Sequence, residues 1–314
     1  MHASRDVTVR EVGLRDGLQS VKTILPTEVK TEWIDREVRT GITEIEVSSF
    51  VPQKVIPQFF DAAEVVAHAL KQPGLTVHVL VPNLKGAERA VEHKAHQINF
   101  VLSASEAHNR NNVRRTIEES LADLERIAAL VKGLPPERRP RLCGGLATAF
   151  GCTLQGAVDE SHVLKLVERL AAMGLDDIAL ADTVGYANPA AIHRVFTAAA
   201  KIAGPIPLAA HFHDTRGLGL ANVVAALEAG VRHFDASIGG FGGCPFAPGA
   251  TGNITLEDLV YMLEAMGLRT GVDVAKLVEL RAWVQQQLPD DPFAGAIAKA
   301  GLAKNYHPAT QPAA

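Results

Sequence analysis

Short apolar, β-rich runs alternate along the chain with longer segments in which apolar residues recur at helical spacing. The runs predict eight strands, at residues 6–12, 43–47, 76–81, 98–103, 142–148, 177–181, 207–212 and 233–237. Between strands, residues 116–131 place Ile117, Leu121, Leu124, Ile127, Ala128 and Val131 on one helical face. Residues 160–173 do the same with Val163, Leu166, Val167 and Leu170. Further helices are predicted over 27–40, 221–229 and 254–267. Gly41, Gly174 and Gly230 stand where helices end in a left-handed residue.

Strands alternating with helices imply parallel pairing through right-handed crossovers. Eight such units in about 250 residues predict an α/β fold of the (β/α)8 TIM-barrel type. The alternative, an open doubly wound sheet, wants a Gly-rich phosphate turn after its first strand. Here that strand runs into Val12-Gly13-Leu14-Arg15-Asp16-Gly17, a charged pair at a strand end. Residues 1–268 are therefore read as the barrel. Residues 269–314 form an appendage of the same domain: a helix at 272–287 and, after Leu302, a polar, Pro-containing tail expected to be mobile.

Composition narrows the function classes. The 314 residues carry 31 Lys and Arg against 35 Asp and Glu, a net charge of -4. A broad nucleic-acid surface needs a basic excess, so no nucleic-acid partner is expected. With 47% apolar and 21% charged residues the chain is not a disordered one. No apolar run reaches the ~18 residues that span a bilayer, and residues 1–10 have no apolar leader core, so neither a membrane partner nor a signal peptide is expected. Three cysteines, Cys143, Cys152 and Cys244, are too few and too odd in number for a disulfide framework. They fit free thiols in a reducing cytoplasm.

Barrel chemistry gathers at the C-terminal ends of strands. Those ends carry Arg15-Asp16, then Glu46 with Ser48 and Ser49, then Asp182-Thr183, then His211-Phe212-His213-Asp214, and finally Gly239 to Pro245 followed by Gly252-Asn253. Residues i and i+2 of a strand share a face about 6.6 Å apart, so His211 and His213 can hold one metal ion together. The alternative is a pair of strand histidines with ordinary hydrogen-bond partners. Asp16 and the Asn253 amide would complete a set that leaves positions open for substrate. Mixed nitrogen and oxygen donors suit Mn, Co, Zn or, less ideally, Mg. His93 and His96, near Glu88 and Glu92, fall three apart on a predicted helix and are read as a solvated face.

Arg15 can fork onto an enolate or carbonyl oxygen, or be a plain ion pair with Asp16. Glu46 can orient Arg15 or relay a proton. Asp182 stands either behind a metal ligand or as a structural acceptor. Cys244 is flanked by Gly242-Gly243 and Pro245, a loop able to close over a ligand, where a thiol serves as nucleophile or general acid. That glycine run lacks the Gly-Lys-Ser/Thr ending of a phosphate loop. Cys143 and Cys152 are read as packing residues.

These motifs resemble a known family. Glu11-Val12-Gly13-Leu14-Arg15-Asp16-Gly17-Leu18-Gln19, Glu46 with Ser48-Ser49-Phe50, Pro82-Asn83-Leu84-Lys85-Gly86, His211-Phe212-His213-Asp214-Thr215 with Ala221-Asn222, and Gly240 through Ala247 with Gly252-Asn253 are similar to the hydroxymethylglutaryl-CoA lyases, members of the barrel metallolyases named for an Asp-Arg-Glu set. The similarity spans roughly residues 7–280, and the cysteine loop is its most specific part. The resemblance implies that Asp16, His211, His213 and Asn253 hold Mg or Mn. It implies a base, Asp16 or His211, that takes the substrate's tertiary hydroxyl proton. Arg15, supported by Glu46, stabilises the acyl-CoA enolate, and Cys244 protonates it. Lys22 is a candidate for a CoA phosphate; the alternative is a solvated surface lysine. The resemblance further implies an acyl-CoA substrate, a homo-oligomer and a place in leucine degradation.

The chain departs from the family pattern at Cys143-Gly144-Gly145, where an Arg-Gly-Tyr stretch is common. It also departs at Ile178-Ala179-Leu180-Ala181-Asp182, with alanines in place of Ser and Gly, and at Arg216, in place of an aromatic. These bear on the acyl group, so citramalyl-CoA or a longer 3-hydroxy-3-alkyl acyl-CoA stands beside hydroxymethylglutaryl-CoA. An acyltransferase of the alkylmalate synthase type is the second reading. Against it stand the Gly-Gly-Cys-Pro loop and the short C-terminal extension. A non-catalytic scaffold is the third, and the intact site residues oppose it.

Overall fold

The computed structural model describes residues 5–242 and 252–309. Eight parallel strands close into a barrel in chain order. They are β1 Thr8–Glu11, β2 Glu44–Ser49, β3 Thr76–Val81, β4 Gln97–Ser103, β5 Arg141–Ala147, β6 Asp177–Asp182, β7 Leu208–Phe212 and β8 His233–Ala236. Closure comes from β1 lying against β8, with Thr8 beside His233 and Glu11 beside Ala236. The TIM-barrel reading of the sequence is therefore correct.

Element ends differ from the periodicity by a residue or two, for local reasons. β1 stops before Val12 because the Val12 carbonyl accepts the N–H groups of Arg15, Asp16 and Gly17 instead of a ladder bond. β2 runs on to Ser49 after a register slip between Glu46 and Ser48, a bulge that re-aims side chains next to the site. β5 stops at Ala147, since Thr148 takes a left-handed backbone with φ 56°. The first helix is Thr27–Val38 and not 27–40: the Thr40 hydroxyl donates to the Glu37 carbonyl at 2.6 Å, and Gly41 turns at φ 99° with the Gly271 carbonyl where a Cβ would sit. At Ile117–Lys132 the helix starts on a capping box, Thr116 with Glu119.

The main apolar core lies between the strands and the helices that cover them. Inside the barrel the packing differs. Cys143, Ala179 and Ala209 form a separate small cluster there, in place of the bulky branched residues that usually fill such a lumen. Strand register names the other inward positions. Leu80 lies beside Asn99, Val101 beside Gly145, Gly145 beside Ala179, and Ala181 beside His211. Gly144 faces outward, toward Leu124, Leu170 and Leu175.

The segment after the barrel is fastened to it. Arg269 pairs with Asp6 at 2.8 Å, and in the helix Val274–Gln287 Arg281 reaches Glu257 at 3.2 Å. Phe293 stacks on Phe241 at 5.3 Å, and Ala294 N–H donates to the Gly239 carbonyl at 2.8 Å. The tail after Leu302 meets the helix that follows β8 at two points. Tyr306 stacks on Tyr261 at 4.9 Å, and Ala309 N–H donates to Glu264 at 2.7 Å. A single tyrosine in a polar stretch, 45 residues after its partner, gives no sequence signal of this contact. Among the described residues no helix is long and apolar enough to cross a membrane.

Candidate active site

After β1 the chain makes one wide helical turn, Gly13–Gly17. Both Asp16 N–H, at 2.6 Å, and Gly17 N–H, at 3.3 Å, donate to the Val12 carbonyl. Wide turns of this kind concentrate at functional sites, and this one swings Arg15 and Asp16 over the barrel mouth. Glu11 fixes the turn from behind: one carboxylate oxygen accepts from Gly13 N–H at 2.7 Å and from Ile238 N–H at 3.1 Å, tying the end of β1 to the end of β8. Burial pushes the Glu11 carboxyl up to about 7.

Asp16 meets the two histidines here. Its Oδ2 lies 3.7 Å from His213 Nε2 and 3.9 Å from His211 Nε2, and the two Nε2 atoms are 3.1 Å apart. One atom from each of the three residues fits within 4.8 Å of the others, the single such His, Cys, Asp or Glu group among the described residues. Burial favours a protonated Asp16, but Arg15, then His211 and His213, outweigh it and hold the carboxyl well below the usual carboxylate range. Asn253 pairs with His213 across a short antiparallel bridge. Its Nδ2 donates to Asp16 Oδ2 at 2.7 Å and, at 3.4 Å, to the Phe241 carbonyl, while its buried Oδ1 has no hydrogen-bond partner among the described residues. An orphaned buried acceptor beside a carboxylate and two converging imidazoles fits a divalent cation.

Two supports were not visible in the sequence. Asp235 lies 3.1 Å from His211 Nδ1 and is itself held by Arg10 at 2.6 Å. Although buried, the Asp235 carboxyl is lowered to about 2, chiefly by Arg10 and His211. This contact sets the His211 tautomer so that Nε2 faces Asp16 and His213. The only signal was a charge in the middle of an apolar strand. Glu46 accepts from Arg15 Nε through one oxygen and from Asn99 Nδ2 at 2.7 Å through the other. Asn99 is oriented in turn by Gln97 at 3.1 Å. With Nε on Glu46 and Nη1 on Asp16 at 2.5 Å, the guanidinium is fixed between two carboxylates.

The remaining sequence candidates separate. The two Asp182 carboxylate oxygens accept Tyr186 N–H at 2.8 Å and Ala187 N–H at 3.0 Å, so the side chain staples the turn after β6. Burial raises its carboxyl, and Asp182 meets the metal set through its main-chain carbonyl, which accepts from His213 N–H at 3.3 Å. Lys22 is exposed, five residues past the turn's Gly17. Cys244 lies outside the described residues. Cys143 and Cys152 are buried, as packing residues should be. His93 and His96 do not share a helical face: the helix ends at Glu92, Lys94 turns at φ 59°, His93 stacks on Phe50, and His96 accepts from Val77 N–H at 3.0 Å. Arg216 stacks over Tyr186 at 4.5 Å and donates to the Val184 and Gly185 carbonyls, lining an open rim hollow of about 420 Å³ with Phe150 and Ala157.

Residues 6–284 match the family model described as HMGL-like. The chain belongs to the HMGL-like family. Within that family it is 40% identical over 284 residues to hydroxymethylglutaryl-CoA lyase YngG of Bacillus subtilis (strain 168), covering 90% of this chain and 94% of the relative. It is 41% identical over 273 residues to the cytoplasmic 3-hydroxy-3-methylglutaryl-CoA lyase of Rattus norvegicus, covering 87% and 78%. Among solved structures, an HMG-CoA lyase from Acinetobacter baumannii, in complex with coenzyme A and 3-methylmalate, superimposes with a TM-score of 0.90 at 42% identity, covering 98% of this chain and 99% of that one. The segment matched to the HMGL-like model contains every residue of the metal set.

Proposed function

We propose that this protein is a divalent-metal-dependent carbon–carbon lyase that cleaves 3-hydroxy-3-methylglutaryl-CoA to acetyl-CoA and acetoacetate. The observation that carries this reading is the meeting of Asp16, His211, His213 and Asn253 beside Arg15 at one barrel mouth, in a chain about 40% identical to hydroxymethylglutaryl-CoA lyases.

Asp16, His211, His213 and Asn253 would hold the cation, Mg or Mn. When bound, it polarises the substrate oxygens on which negative charge develops. Asp16 or His211 takes the proton of the tertiary hydroxyl. The C2–C3 bond then breaks: the hydroxyl oxygen becomes the ketone oxygen of acetoacetate, and the bonding pair becomes the enolate of acetyl-CoA. Arg15, aimed by Glu46, donates to the enolate oxygen in a site shielded from water, where such a bond is strong. Cys244 delivers the proton that completes acetyl-CoA. Asp182 shapes the turn after β6, and Lys22 meets a CoA phosphate at the rim. On this reading residues 1–268 and the appendage at 269–314 are one domain. Cytoplasmic residence, a homo-oligomer and a role in leucine degradation belong to the same proposal.

The test is incubation with hydroxymethylglutaryl-CoA and Mg or Mn, followed by mass spectrometry. Acetoacetate and acetyl-CoA should appear in equal amounts and vanish with a chelator. Intact substrate after metal loading overturns the reading.

A further inference from the structure

Toward the N-terminal ends of the strands the barrel lumen is ionic, and Arg10 stands at the centre of it. Arg10 Nε donates to Asp235 Oδ1 at 2.8 Å and Nη2 lies 2.6 Å from the same oxygen, while Asp235 Oδ2 holds His211 Nδ1 at 3.1 Å. On its far side Arg10 Nη1 donates to His78 Nδ1 at 3.3 Å. The ring proton of His78 then sits on Nε2, which is 3.3 Å from a Glu44 carboxylate oxygen. A column of polar side chains thus runs from Glu44 through His78, Arg10 and Asp235 to His211. Arg10, His78 and Asp235 are each more than nine-tenths buried. The hollow beside them is about 10 Å³, room for about one water. The neighbouring Arg141 is committed to Asp177 at 2.9 Å. Among the described residues, no second guanidinium or ammonium pairs with Asp235. The source of this guanidinium departs from the family pattern. On β5, where an arginine is common, the chain has Cys143, a short side chain packed with Ala179 and Ala209 and lying in the field of both Arg10 and Asp235.

We infer that Arg10 is a positioning residue of the metal centre: it fixes Asp235 so that Asp235 fixes His211, and it brings into the lumen, from β1, a guanidinium that β5 of this chain does not supply. The inference rests on the metal set of the reading above and adds to it a residue that touches neither cation nor substrate. A buried carboxylate stripped of its cationic partner is strongly unfavourable. Without Arg10, Asp235 loses the group that fixes Oδ1, and its hold on His211 Nδ1 slackens. The Nε2 that faces Asp16 and His213 is then no longer aimed. His78 and Glu44 hold Arg10 from behind, so the orientation of one ligand nitrogen at the mouth is set from the floor of the barrel.

The experiment measures the dissociation constant of Mn by isothermal titration, after circular dichroism has shown that each variant is folded. Arg10→Met should weaken Mn binding by roughly 10- to 100-fold, the span of a lost ligand-orienting contact. Arg10→Lys keeps the charge and should stay within about fivefold of the natural chain. Arg10→Met added to Asp235→Asn should cost no more than about threefold beyond Asp235→Asn alone, because two residues acting on one ligand in series are not additive. Should Arg10→Met fail to fold, Arg10→Lys and the double variant, which leaves neither charge buried alone, still decide. Arg10→Met with natural Mn affinity and only a lower melting temperature overturns the inference, since Arg10 would then be structural. Arg10→Lys as weak as Arg10→Met, or effects that multiply in the double variant, overturn it too. A natural chain that binds no Mn removes the metal reading and the inference together, a result distinct from a natural chain that binds Mn and is indifferent to Arg10.

Discussion

Asp235 and His211 are neighbours in the β7–β8 register, and the Asp235 carboxylate holds His211 Nδ1 at 3.1 Å. A residue with no route to substrate thereby decides which ring nitrogen faces the metal set. Asp235→Asn should weaken metal affinity by roughly 10- to 100-fold, the usual cost of losing such a partner. Isothermal titration with Mn measures it, and an unchanged dissociation constant would show that His211 is oriented by other means.

His213→Ala removes one of the two facing Nε2 atoms and leaves Asp16 paired with Arg15 and Asn253. Metal content after equilibrium dialysis should fall well below one ion per chain. Full occupancy would take His213 out of the ligand set.

Cys244→Ala should lower turnover by at least about a hundredfold, the span of a lost general acid, while metal content stays at the natural level. The two readouts separate loss of proton delivery from loss of the cation. Near-normal turnover would end the acid role.

Glu46→Gln keeps the shape of the Arg15 partner and removes its charge. Turnover should fall by roughly tenfold to a hundredfold, with KM little changed, because Arg15 acts on charge present only at the transition state. A rise in KM at constant kcat would make the pair a ground-state binding device.

Glu11 and Glu37 are both fully buried, and burial raises both carboxyls, Glu11 to about 7 from 4.5. Between those two values the folded chain keeps a proton that the unfolded chain releases. The stability this contributes is complete below 4.5 and is lost as pH climbs through about 7. Melting temperature should therefore drop from pH 5 to pH 8, and Glu11→Gln should flatten the drop. An equally steep profile in the variant would assign the slope to other groups.

The strands and most helix ends were legible because alternation and glycine stops are local signals. The pairing of His211 with His213 was legible for the same reason, since two residues apart on a strand means one face. Asp235 and Asn99 were not. Their roles depend on the offset at which β8 meets β7 and β4 meets β3, and that offset is set by closure of the whole barrel. The docking of Tyr306 on Tyr261 was missed because a polar stretch around one aromatic carries no period. Asp182 showed its position at a strand end, but only the turn after β6 revealed that Tyr186 and Ala187 use both of its oxygens.

Phe241 and Asn253, which flank the segment carrying Cys244, lie within a hydrogen bond of each other at 3.4 Å. A Cβ on Gly252 would fall 1.7 Å from the Gly240 carbonyl, so the two feet of the segment touch. Trp33 and Phe293 both pack against the Phe241 ring, and the second comes from the appendage. The two ends that bracket residues 243–251 are thus held together by contacts of their own, and these keep Asn253 in place on Asp16.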